Sequence, residues 1–119
     1  MQFAATTAHR MATASHPQIG ILALEGEIDL HRSPQVKEIL EPLISQKVKR
    51  ILVDFSAVTY IDSSGLAVMI ETLQRIQSYG GKFAMFGLRQ SVRSIFEIAR
   101  LDQIFSIFGD EASAVVGTA

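Results

Sequence analysis

The chain has 119 residues, no cysteine and a formal charge of -1 from 11 basic and 12 acidic residues. That length suits one compact domain, and a hydrophobic content of 48% is enough to build its core. Without cysteine there is no disulfide, thiolate metal site or cysteine nucleophile. The balanced charge leaves no surplus of cations to displace counterions from a phosphate backbone, which argues against nucleic acid as a direct partner. No apolar stretch reaches the ~20 residues that span a bilayer, and Met1 to Pro17 lacks the apolar run of a secretory signal, so no membrane partner and a cytoplasmic setting are expected.

In chain order, residues 1–17 alternate only weakly and are rich in alanine, a poor strand former, so a ragged edge strand is expected there. His9 and His16 fall in that segment, and their spacing follows no metal-ligand logic. Ile19 to Ile28 is apolar, short and bounded by Pro and Gly, as in a buried strand ending near Asp29. Ser33-Pro34 predicts a helix start, with Ser33 as the cap and Pro34 in the first turn. The stripe Val36, Ile39, Leu40, Leu43 and Ile44 faces the core, while Lys37, Glu38 and Glu41 face outward. Pro42 forfeits a bond to the Glu38 carbonyl and predicts a bent or shortened helix.

Arg50 to Val58 reads as a second buried strand. A helix with the stripe Leu66, Met69, Ile70, Leu73 and Ile76 follows, and Gly80-Gly81 ends it with positive-φ residues. Lys82 to Leu88 is a third strand, Val92, Ile95, Phe96 and Ala99 mark a further helix, and Ile104 to Phe108 is another apolar run. Phe105 and Phe108 are either core or a docking face. A short helix opens after Asp110. This alternation predicts βαβ units, a largely parallel sheet and right-handed crossovers. Met69 and Met85 are expected to fill gaps in the core.

The most informative stretch is Ile61-Asp62-Ser63-Ser64-Gly65-Leu66, where two hydroxyls and a carboxylate stand at a strand-to-helix junction. Ligands and partners of open α/β sheets gather beyond the carboxyl ends of the strands. Asp62 or Ser63 can cap the helix, Ser64 then lies in its first turn, and Gly65 leaves room for something to approach the backbone. A phosphate on Ser64 would bring roughly -1.5 to -2 charge, which the N–H groups of the helix terminus can receive. Taken alone, Asp-Ser-Ser-Gly is more commonly a plain helix cap.

Val58-Thr59-Tyr60-Ile61-Asp62-Ser63-Ser64-Gly65-Leu66, with Gly26-Glu27-Ile28-Asp29 one βα unit earlier, resembles the STAS domain of bacterial anti-sigma-factor antagonists, in order and spacing from about Ile19 to Phe108. The resemblance implies an α/β STAS-type fold over 1–119, with a mixed four- to five-stranded sheet, an antiparallel edge strand and about four helices. It implies that Ser64 is phosphorylated by an anti-sigma factor, a serine kinase of the histidine-kinase-like ATPase fold, and that a PP2C-type phosphatase reverses this. It places Asp29, Asp62, Ser63, Ser64 and Gly65 at the partner surface, with no cofactor and no catalysis by the domain itself.

Other roles remain open from the residues. Asp29 alone reads as a loop carboxylate ordering its turn, and His31 as a solvated loop residue. Asp54 interrupts an apolar strand and is either solvent-facing or hydrogen-bonded at the sheet end. Ser64 has neither a Gly-x-Ser-x-Gly elbow nor a base beside it, which argues against hydrolysis. Phosphate-cradling loops are missing. The competing readings are an accessory STAS domain of a transporter or lipid-trafficking ATPase, never phosphorylated, and a module that binds nucleotide.

Overall fold

A computed structural model of the chain describes residues 9–11 and 19–119. The sheet has five strands in strictly sequential order: β1 (His9–Met11), β2 (Ile19–Ile28), β3 (Arg50–Ile61), β4 (Lys82–Phe86) and β5 (Ser106–Phe108). The edge strand β1 runs antiparallel to β2, and β2 to β5 are mutually parallel. The expected edge strand is therefore seen at His9–Met11; the rest of the weakly patterned segment, His16 included, lies outside the described residues.

The parallel strands are joined by α1 (Ser33–Ser45), α2 (Ser63–Ser78) and α3 (Gln90–Ile98), and α4 (Glu111–Gly117) follows β5. Sequential order combined with crossovers of one hand forces all three connecting helices onto the same face. The burial pattern agrees. Leu22, Leu24, Ile51, Val53, Phe83 and Met85 join Val36, Leu40, Met69, Leu73, Val92 and Phe96 in one core, whereas Ile19, Ile21, Leu52, Ala84 and Phe86 form a second, smaller core under Ala114 of α4. Period-two alternation along the strands divides each between the two layers.

Both methionines singled out from the sequence, Met69 and Met85, are fully buried. Phe55, Phe96, Phe105 and Phe83 make successive edge-to-face contacts at centroid distances of 6.3, 5.6 and 6.2 Å. Such contacts add to burial by favouring the ring quadrupoles. Phe105 is thus core, and Phe108 is partly buried against the α4 layer.

Two local expectations are corrected. Ser33 does not cap α1: the N-cap is Arg32, without a side-chain cap bond, and Ser33 is already helical and buried, its Oγ donating to the Asp29 carbonyl at 2.8 Å. Asp29, four residues earlier, has taken over the organisation of that turn. Of Gly80-Gly81 only Gly80 has positive φ, at 81°. Pro42 lies inside α1, which ends three residues later at Ser45.

Two ion pairs strap α1 to α2: Lys37 to Glu71 at 3.2 Å, and Glu41 to Arg75 through two guanidinium bonds of 2.6 and 3.0 Å. The Arg75 bonds, then the Ser45 hydroxyl, draw the Glu41 carboxyl down from 4.5 to about 2. At the other layer, Arg50 donates to the Val115 carbonyl and to Thr118 Oγ1 at 2.9 and 3.1 Å, placing a cation on the last carbonyls of α4.

A folded-state carboxyl below its unfolded value contributes stability above that value and loses it as the pH falls. The melting temperature of Glu41→Gln should therefore lie below that of the parent at neutral pH, and the gap should close between pH 4.5 and about 2; a gap that is constant across this range contradicts the assignment. Arg50→Met leaves the α4 carbonyl and the buried Thr118 without their donor, and should cost about 1–3 kcal/mol in urea unfolding.

Candidate functional site

β3 pairs with β4 only from Arg50 to Asp54, but with β2 as far as Ile61. The ends of β2 and β3 therefore project beyond the rest of the sheet as a two-stranded arm, finishing together at Ile28 and Ile61. β2 is accommodated to β3 by register shifts between Ala23 and Glu25 and between Gly26 and Glu27, with Gly26 at φ +83°. A bulge of this kind bends a strand and re-aims its end.

Two turns leave the tip of the arm side by side. In the first, Asp29 Oδ1 accepts the N–H groups of His31 and Arg32, both at 3.1 Å, while its carbonyl accepts those of Arg32 and Ser33. The loop-ordering role read from the sequence is what Asp29 performs here. In the second, Asp62 is the N-cap of α2: its Oδ1 accepts Ser64 N–H at 2.9 Å and Gly65 N–H at 3.1 Å. Its other oxygen accepts Leu30 N–H at 3.3 Å, and its own N–H donates to the Ile28 carbonyl at 3.2 Å. One aspartate thus joins the loop before α1 to the first turn of α2.

Ser63 is the first residue of α2 and is exposed; Ser64 follows it and is half-buried. Among the described residues Ser64 bonds through its backbone N–H to Asp62, and its Oγ makes no hydrogen bond. Ser64 borders a groove of about 370 Å³ between α1 and α2, walled by Leu30, Pro34, Lys37, Val68 and Glu71. Leu30 is 67% exposed beside it, a large apolar side chain at the rim. Tyr60 is also exposed, two residues before the capping aspartate.

Two readings change. Gly65 does not leave room for an approaching ligand, because a Cβ there would lie 2.6 Å from both the Ile28 carbonyl oxygen and Ile61 Cγ1. The neighbour that requires glycine is the protein's own arm, and Gly65 is buried under the surface it shapes. Nor are the N–H groups of Ser64 and Gly65 open to a phosphate, since Asp62 occupies both.

Sequence reasoning brought Asp29, Asp62, Ser63, Ser64 and Gly65 to this end of the sheet, and all five are there. It missed Leu30, and it missed that Lys37 and Glu71 share a groove with Ser64. A solvent-facing leucine in an otherwise polar loop, Asp29-Leu30-His31-Arg32, was the available signal for the first. His31 is exposed, and its backbone N–H is bound by Asp29. Asp54 lies away from the site, its Oδ1 accepting Ser56 N–H at 2.8 Å and Ser56 Oγ–H at 2.6 Å. No group of three or more histidine, aspartate or glutamate residues placed to hold a metal occurs among the described residues.

A profile of the STAS domain matches residues 10–114. The chain belongs to the STAS domain family. An anti-sigma-B factor antagonist of Listeria monocytogenes is 33% identical over 82 residues, which is 69% of this chain and 72% of that protein. Among solved structures, an anti-sigma factor antagonist from Mycobacterium paratuberculosis superposes with a TM-score of 0.78 at 19% identity, over 96% of this STAS chain and 97% of its own. The Bacillus cell fate determinant SpoIIAA in its phosphorylated form does so at 0.67 and 18%, over 94% and 100%. At such identities these likenesses carry the fold, and they agree on an α/β STAS architecture. No described helix is long and apolar enough to cross a membrane.

The fit of Gly65 against the arm gives a prediction. Gly65→Ala should destabilise the domain by about 1–3 kcal/mol, because the contact it violates includes a backbone oxygen that cannot rotate away. Chemical denaturation measures this directly; an unchanged midpoint would show that the arm yields freely.

Proposed function

We propose that this STAS domain is an anti-sigma factor antagonist whose binding to a serine-kinase anti-sigma factor is switched by phosphorylation of Ser64. The observation that carries the reading is a serine with an unengaged hydroxyl, held at the rim of a groove by a neighbouring aspartate cap, in a chain similar to a protein named as such an antagonist. The whole of 1–119 acts as one domain in this reading. It is a cytoplasmic binding module, and the chemistry is supplied by its partners.

In the unmodified state the partner surface consists of Leu30, Asp29, Asp62, Ser63 and Ser64, with Gly65 packed beneath. Leu30 provides an apolar anchor, and the aspartates are held in fixed positions by the N–H groups they accept. Anchors of this kind are well suited to the desolvated centre of an interface. The kinase, of the histidine-kinase-like ATPase fold, transfers the γ-phosphoryl group of ATP to Ser64 Oγ. The new P–O bond forms as the β–γ anhydride breaks, the hydroxyl proton is released and ADP leaves.

The product carries roughly -1.5 to -2 additional charge next to the carboxylate of Asp62. Like charges brought together across an interface cost several kcal/mol, so the kinase releases its product and regains its grip on the sigma factor. A PP2C-type phosphatase restores the neutral serine by hydrolysis. Because the cap bonds are made by backbone N–H groups and Asp62, the fold of the domain survives both steps.

Incubation with the cognate kinase and ATP, followed by mass spectrometric mapping, should place the phosphate on Ser64. Modification of Ser63 alone, or of neither serine, would overturn the assignment. Ser64→Ala should bind the kinase constitutively, and Ser64→Asp should weaken binding by about tenfold or more, or about 1.4 kcal/mol. Equal affinities would remove the switch.

A further inference from the structure

Resting on that reading, we infer that Lys37 is the cation that pairs with the phosphate of the modified domain: it exchanges its ion pair with Glu71 for one with the phosphoryl group on Ser64. The reasons are geometric. A phosphate on Ser64 stands at the helix terminus, yet two of the first-turn N–H groups that could satisfy an anion there, those of Ser64 and Gly65, already donate to Asp62 Oδ1. To use them the phosphate would have to expel the aspartate that also holds Leu30 N–H, and with it the junction between the two turns.

The alternative direction is into the groove. Its walls carry one cation, Lys37 from α1, and one anion, Glu71 from α2. These are already paired at 3.2 Å, with side chains 52% and 50% exposed, so the pair is solvated and weakly held. Ser64 and Glu71 are both on the groove side of α2, two turns apart, and the four-carbon stem of lysine lets its ammonium swing from one to the other. A phosphate dianion is the stronger competitor for that ammonium, having up to twice the charge of a carboxylate and three acceptor oxygens.

The exchange has a structural consequence. It removes the strap nearer the site, Lys37 to Glu71, and leaves the one between Glu41 and Arg75 in place. The helix pair therefore stays together, while Glu71 loses its counter-charge in a groove that has just gained a phosphate. Phosphorylation thus changes the groove walls as well as the serine.

The remaining charged groups around the phosphate are Asp62 at the cap and Asp29, His31 and Arg32 in the adjoining loop. A test must separate Lys37 from these. Phosphoserine is introduced at position 64 during translation, so that no kinase is required, and its second ionisation, ordinarily about 6, is followed by phosphorus NMR. A nearby cation favours the dianion and lowers that value.

Lys37→Met should raise it by a few tenths of a pH unit or more, Lys37→Arg should restore it, and Glu71→Gln should lower it by freeing the ammonium. An identical titration in the parent and Lys37→Met, or a rise in His31→Gln or Arg32→Gln as large as that in Lys37→Met, would overturn the inference. A kinase that fails to modify Ser64 would sink the proposed function and leave this titration standing. A titration unchanged by Lys37→Met alongside efficient modification would sink the role of Lys37 alone.

Discussion

The site depends on a single carboxylate. Asp62 accepts three backbone N–H groups, two from the first turn of α2 and one from the loop before α1, and its own N–H closes onto the end of β2. Charge-assisted bonds to backbone donors are short and directional. Here they fix the position of Ser64 relative to Leu30 without either side chain taking part. None of these bonds involves the Ser64 hydroxyl, so a charge added there would leave them in place.

The sheet determines why this surface projects. With sequential strand order and crossovers of one hand, α1, α2 and α3 all lie on one face, and β3 outruns β4 so that only β2 accompanies it to Ile61. α1 and α2 are thereby neighbours along their length, and the groove between their N-terminal halves opens at the tip of the arm. The other face has less to do. The seven-residue α4, pinned by Arg50, covers a small core there.

Much of this was legible in the sequence because it rests on periodicity and caps. The stripes Val36, Leu40, Leu43, Ile44 and Met69, Leu73, Ile76 are buried as read, and Asp62 caps α2. Errors arose where two local signals compete. Ser33 before Pro34 has the form of a cap, but Asp29 four residues earlier organises the same turn and draws Ser33 into the helix. Gly65 signals a close approach, and no sequence pattern says whether the approaching atom belongs to a partner or, as here, to Ile28. The apolar run Ile104 to Phe108 splits for a similar reason: Phe105 turns into the aromatic core while Ile104 faces solvent.

The pairing of Lys37 with Glu71 lies beyond periodicity altogether, since it depends on how far α1 and α2 slide past each other once packed. From the sequence both residues look like ordinary outward-facing charges, and by exposure they are. Their significance comes from what they enclose. An exposed ion pair contributes little to stability, so little opposes its rearrangement when a stronger anion appears beside it. A buried pair in that position would resist exchange, because either partner left alone would bear a large desolvation cost. In the proposed switch, the solvated character of this pair is what would let a modification at Ser64 be felt by α1 without disturbing the core beneath.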